Sequence, residues 1–206
     1  MSYSITTIII AINVIISFVA FQDEEAFYKL CFWPDRIWHN KEWIRILSGG
    51  FLHANMPHLL FNMISLYFFG PFVEDSFMVE FGAAGHTAFI IFYLLAIVVA
   101  NIPDLYEHRY NPSYRAVGAS GAVSGVIFAS ILYSPLNKIY IFFIPIGIPA
   151  YLFGILYLVY SAYMSRRQAD NIGHMAHFSG AIFGIVFPLI FEPTLCMECM
   201  HKILSL

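Results

Sequence analysis

Residues 116–137 read AVGASGAVSGVIFASILYSPLN, 22 positions without a single Asp, Glu, Lys or Arg. A helix of about 20 apolar residues crosses the hydrocarbon core of a bilayer, so this run is long enough to span one. Its first half is unusual for a helix that faces lipid. Residues 117–125, VGASGAVSG, carry glycine, alanine and serine where large aliphatic side chains would hold lipid better. Working outward, the remaining charges leave five more gaps of similar size. They cover residues 1–22, 46–73, 81–103, 139–165 and 171–191, with lengths of 22, 28, 23, 27 and 21. The chain of 206 residues is 60% hydrophobic and 11% charged, against about 25% charged for a soluble domain. The expectation is an all-α membrane protein, a bundle of six transmembrane helices. Their places are residues 5–22, 54–73, 83–103, 117–136, 139–163 and 174–191, within one domain over residues 1–206 that leaves no room for a separate soluble unit.

The first gap has no basic start, and no clear small-x-small cleavage site follows it, so it is expected to be a retained helix. A net charge of −3 without a basic face gives no reason to expect a nucleic-acid partner. The cysteines are Cys31, Cys196 and Cys199. One CxxC falls short of a four-ligand zinc site, so neither a metal nor another cofactor is expected. The segment 23–45 spaces Trp33, Trp38 and Trp43 five apart among charges. Tryptophan collects at membrane–water interfaces, and this segment is expected to be partly helical and to lie in the interface plane. Loops after the first, third and fifth helices hold Lys29, Arg36, Lys41, Arg45, Arg109, Arg115, Arg166 and Arg167, while the other side holds Lys138 and Lys202. The positive-inside rule alone would put both termini outside.

Polar side chains at membrane depth are costly and mark function by default. The second helix begins HANMPHLLFN, with His53, Asn55, His58 and Asn62; the last two are four apart and share a helix face. The fourth offers Ser120 and Ser124, and the sixth opens NIGHMAHFSG, with His174 and His177. The second, fourth and sixth helices start from the same side. At a rise of roughly 1.5 Å per residue, His58, Ser120 and His177 all lie about 8–10 Å below one surface. Gly121 with Gly125, and Gly180 with Gly184, are GxxxG pairs, which let helix backbones approach closely in lipid. His177 falls on the Gly180–Gly184 stripe, so packing these two helices would carry Ser120 towards His177. A serine becomes a nucleophile beside a base, most often histidine. No acidic residue falls within the six charge-free gaps, so the form of this chemistry on offer is a Ser–His dyad. Asn62, His58 and the N–H of Ser120 stand at the depth where an oxyanion would need donors.

These residues resemble the rhomboid intramembrane serine proteases, over residues 43–184. EWIRILSGGFLHANMPHLLFNMISLYFFGPFVE (42–74) is similar to the end of the family's first loop and its second helix. GASGAVSG (118–125) resembles its GxSG serine motif, and AHFSGAIFG (176–184) its AHxxGxxxG. The resemblance implies a six-helix core that cuts transmembrane segments of other membrane proteins, with Ser120 as nucleophile and His177 as general base. His58 and Asn62 would assist the oxyanion. It also implies termini in the cytoplasm of a bacterial inner membrane and a site towards the extracytoplasmic side, opposite to the charge count. The expected partners are transmembrane protein substrates and the bilayer.

One position departs from the family. Four residues after the nucleophile, where an aromatic often packs on the imidazole, this chain has Ser124. His53 and His174 are expected to anchor the site's surroundings, and Pro145 and Pro149 to kink the fifth helix. Two other classes compete. A catalytically inactive rhomboid-like protein would bind transmembrane helices without cutting, but this chain keeps Ser120 and His177. A metal site on His53, His58, His174 and His177 lacks an HExxH and any carboxylate inside a span.

Overall fold

The computed structural model describes residues 4–140, 146–167 and 173–205. A long helix α1 (Ile5–Gln22) is followed by three short ones, α2 (Glu24–Leu30), α3 (Pro34–Asn40) and α4 (Arg45–Ser48). Then come α5 (Met56–Phe81), α6 (Gly85–His108) and α7 (Ser120–Tyr133). A hairpin of β1 (Lys138–Tyr140) and β2 (Gly147–Pro149) leads to α8 (Ala150–Arg167), α9 (His174–Phe191) and α10 (Thr194–Leu204). Ile5–Gln22, Met56–His108 and His174–Phe191 are long and apolar enough to cross a membrane, and Ser120–Tyr133 is a shorter apolar helix. The protein is a helical membrane bundle. Its core gathers Leu66, Val73, Phe77, Phe89, Phe92 and Val126 from α5, α6 and α7.

The segment before α5 has local causes. Asp23 caps α2 by accepting from the Ala26 N–H at 3.1 Å. Pro34 starts α3 where an N–H would have no partner anyway, and Lys41 ends it in a left-handed turn (φ 63°). Segment 23–45 is thus partly helical, with Trp38 and Trp43 exposed. Asn55 caps α5 by accepting from the His58 N–H at 2.9 Å, beside Pro57 in the first turn.

Four helices have bounds that differ from the charge-gap expectation. α5 and α6 run past residues 73 and 103 because the carboxylates beyond them have partners. Glu74 accepts from Ser4 Oγ (2.8 Å), the Ile5 and Thr6 N–H groups (2.8 and 3.0 Å) and Thr6 Oγ (2.8 Å), so it caps α1 from the side. Asp104 accepts from the Tyr114 hydroxyl at 3.0 Å. Contrary to the expectation that no carboxylate lies inside a span, Glu74 and Asp104 are both buried inside long helices. α7 starts at Ser120 rather than 117 because Phe32 and Ala116 exchange backbone bonds at 3.0 Å and Gly118 takes φ +134°, which holds the chain extended. It stops before Ser134–Pro135, since the residue preceding a proline is disfavoured in helix. The fifth predicted helix, 139–163, is replaced at its start by the hairpin, in which Lys138 pairs with Pro149 and Tyr140 with Gly147. Ile139 and Tyr140 favour extended backbone. Pro149 stands before α8 rather than kinking it, and Pro145 lies outside the described residues.

Glu74→Ala removes a buried acceptor from four donors at the start of α1. It should destabilise the bundle by about 1–3 kcal/mol, measured as a lowered thermal midpoint in detergent, with Glu74→Gln losing less.

Candidate functional site

Four glycines set the geometry. A Cβ built on Gly180 would lie 2.0 Å from the Gly121 carbonyl oxygen, and one on Gly184 2.1 Å from that of Gly125. The register 121 to 180 and 125 to 184 means that α7 and α9 run parallel, with backbone against backbone. A Cβ on Gly121 would also meet Ala100 Cβ of α6 at 2.5 Å, so α7 packs tightly against α6 as well as α9. Gly121 and Gly125 of VGASGAVSG serve this packing, since residues this small let two backbones approach.

Ser120 is the first residue of α7 and is half-buried. The first backbone bond of the helix runs from the Val123 N–H to the Ala119 carbonyl at 2.9 Å. The N–H groups of Ser120, Gly121 and Ala122 precede it and have no intrahelical acceptor. Just upstream, the Gly118 N–H is bonded to the Gly49 carbonyl at 3.0 Å. A Cβ on Gly118 would sit 2.9 Å from His58 Nε2 and 3.6 Å from Ser120 Oγ. The glycine is thus a floor on which the imidazole of His58 and the hydroxyl of Ser120 both border, and its φ of +134° suits no other residue type. His177 stands in the first turn of α9. The Gly121 position faces the Ala176 carbonyl, which its Cβ would meet at 3.3 Å, so the turns bearing Ser120 and His177 abut.

Asn62 lies one turn below His58 on α5, 5% exposed, and its Nδ2 is a buried donor without an acceptor among the described residues. Such a donor is expensive to leave unmade and is available to a ligand oxygen. His53 is fully buried, with Nδ1 2.8 Å from Ser17 Oγ of α1 and its ring 5.1 Å from that of His58. Burial, helped by His58, pushes the His53 imidazole down to about 3, so it stays neutral and ties α1 to the loop before α5. His174 is buried edge-on to both Tyr160 (5.5 Å) and His177 (6.1 Å). His53 with His58 and His174 with His177 are two separate pairs. No group of three or more metal-ligating side chains forms among the described residues.

Ser124 is differently placed from Ser120. Its Oγ donates to the Ser120 carbonyl at 2.8 Å and lies 2.6 Å from the Tyr157 hydroxyl. Nothing in the sequence marks Tyr157: it is one of 13 tyrosines, and no spacing within α8 ties it to residues on α7 and α9.

A family model described as Rhomboid domain matches residues 40–193. The chain belongs to the rhomboid family. The match takes in every residue just described from His53 to His177. The chain is 30% identical over 145 residues to RHOMBOID-like protein 12, mitochondrial, of Arabidopsis thaliana, across 66% of this chain and 43% of that protein. It is 31% identical over 142 residues to the Rhomboid protease GluP of Bacillus subtilis, across 69% and 25%. To the Rhomboid protease GlpG of Haemophilus influenzae it is 25% identical over 189 residues, 90% of each chain. The chain spans less than half the length of the first two. Rhomboid relatives also include a chloroplastic protein of Arabidopsis thaliana, so the family reaches beyond one kind of membrane. This rhomboid chain is a multi-pass integral membrane protein.

Proposed function

We propose that this chain is an intramembrane serine endopeptidase, a single rhomboid-like domain that cuts transmembrane segments of other membrane proteins. Ser120 is the nucleophile and His177 the general base. The observation that carries this reading is the glycine-to-glycine contact of α7 with α9, which sets the first turns of the two helices against each other. Protease relatives of the same family support it.

The chemistry follows from the groups present. His177 takes the Ser120 proton as Oγ attacks the scissile carbonyl, and returns it to the leaving amine; water then hydrolyses the acyl-enzyme. The developing oxyanion is met by Asn62 Nδ2, by His58, and by the N–H groups at the start of α7, where the helix dipole adds its positive end. The site faces the extracytoplasmic side of a bacterial inner membrane in this reading. A substrate helix hides its carbonyls in i to i−4 bonds, so the cut falls where small or helix-weakening residues free one.

Proteoliposomes carrying the protein and a single-span substrate test this. Cleavage should exceed that of an unstructured soluble peptide, and Asn62→Ala should lose about 10² in kcat. Equal cleavage of both substrates would contradict the substrate class. Unchanged kcat would place Asn62 among purely structural ties.

A further inference from the structure

We propose that Tyr157, on α8, is the residue that positions the His177 imidazole, doing across helices what an aromatic four residues after the nucleophile would do along α7. The inference rests on His177 being the base, and deepens that reading.

Three contacts support it. The Tyr157 ring stands 6.4 Å from the His177 ring, centroid to centroid, with 29° between their planes. That is an offset stack within the range where aromatic pairs attract. The Tyr157 hydroxyl is 2.6 Å from Ser124 Oγ. Ser124 spends its own proton on the Ser120 carbonyl, so in this pair the phenol donates. A relay of hydroxyls therefore fixes the ring to the turn that carries the nucleophile, while its face rests beside the base. The ring also packs beside Phe128 of α7 at 5.6 Å and Phe153 of α8 at 5.8 Å.

Ser124 then has a purpose that its small size serves. A large side chain on α7 at this point would fill the space into which the phenol reaches. The aromatic belongs instead to α8, and α8 reaches α7 closely through Gly154, whose Cβ would meet Ile131 Cδ1 at 3.1 Å. The imidazole is thereby oriented only while α8 is docked.

The experiment measures kcat and KM on a single-span substrate in proteoliposomes. Alongside, it follows the rate of fluorophosphonate labelling and the thermal midpoint, for wild type, Tyr157→Phe, Tyr157→Leu, Tyr157→Met and Ser120→Ala. Tyr157→Phe keeps the ring and should stay within about twofold of wild-type kcat. The two aliphatic variants should lose about tenfold in kcat, the upper size of an aromatic pair, and as much in labelling rate, with KM unchanged. Equal losses in Phe and the aliphatic variants would overturn the proposal, as would a loss confined to KM. So would a lowered thermal midpoint in both aliphatic variants that accounts for their lost activity, because the role would then be structural. Ser120→Ala separates the two claims: a variant still active or labelled would overturn the nucleophile assignment, whatever Tyr157 does.

Discussion

Gly180→Leu is expected to abolish cleavage and to lower the thermal midpoint sharply. The Cβ alone would lie 2.0 Å from a backbone oxygen of α7 and 2.7 Å from the carbonyl carbon of the same residue, Gly121. Neither atom can rotate away, as the tip of a flexible side chain would. Forcing extra carbons into a packed core costs about 1–3 kcal/mol where neighbours can adjust. Here the neighbour is a helix backbone, so the cost exceeds that range, and relief comes only by separating α7 from α9. Separation pulls the turn of Ser120 from the turn of His177, so activity falls even in molecules that remain folded. Gly173→Ala is the control. It precedes α9 close to the same site, its Cβ would find Ala176 Cβ at an ordinary 3.6 Å, and its effect should stay within about 0.5 kcal/mol. A Gly180→Leu protein with wild-type stability and turnover would mean that the α7–α9 contact is not what builds the site.

The second large effect is chemical. Ser120→Ala should lower kcat by at least about 10⁴, as removal of a serine nucleophile does elsewhere, and leave the thermal midpoint unchanged. The fold uses the Ser120 carbonyl, which accepts from Ser124, and alanine keeps that carbonyl. Ser124→Ala should behave in the opposite way. It loses two hydrogen bonds that hold Tyr157 and the first turn of α7, yet keeps a nucleophile, so it retains fluorophosphonate labelling and a sizeable share of turnover. Position explains the difference. Ser120 stands at the helix start beside free N–H groups, whereas Ser124 is one turn deeper, 3% exposed, with its hydroxyl engaged.

Some of this was legible in the sequence for identifiable reasons. Charge gaps reveal helices that must avoid lipid-facing charge, and the spacing of Gly121, Gly125, Gly180 and Gly184 anticipates the face on which two of them meet. The errors arise where tertiary contacts answer a local cost. Glu74 would end a span if exposed to lipid, but the start of α1 supplies four donors, and no pattern near residue 74 announces them. The sequence that carries the strands Lys138–Tyr140 and Gly147–Pro149 is as poor in charge as that of a helix, so a charge count cannot distinguish them. The left-handed Gly118, held between His58 and Ser120, reads in the sequence as one more small residue. Tyr157 is invisible for the same reason: its partners lie on two other helices.

If one hydroxyl, that of Ser120, does the chemistry, it is the atom that an electrophilic probe should find. The protein in native membranes is treated with a fluorophosphonate, digested, and the adduct located by mass spectrometry. A single adduct on Ser120 is expected, absent when His177 is changed to alanine. An adduct on Ser124, or cleavage of a transmembrane substrate by protein that carries no adduct on Ser120 at saturating probe, would contradict it.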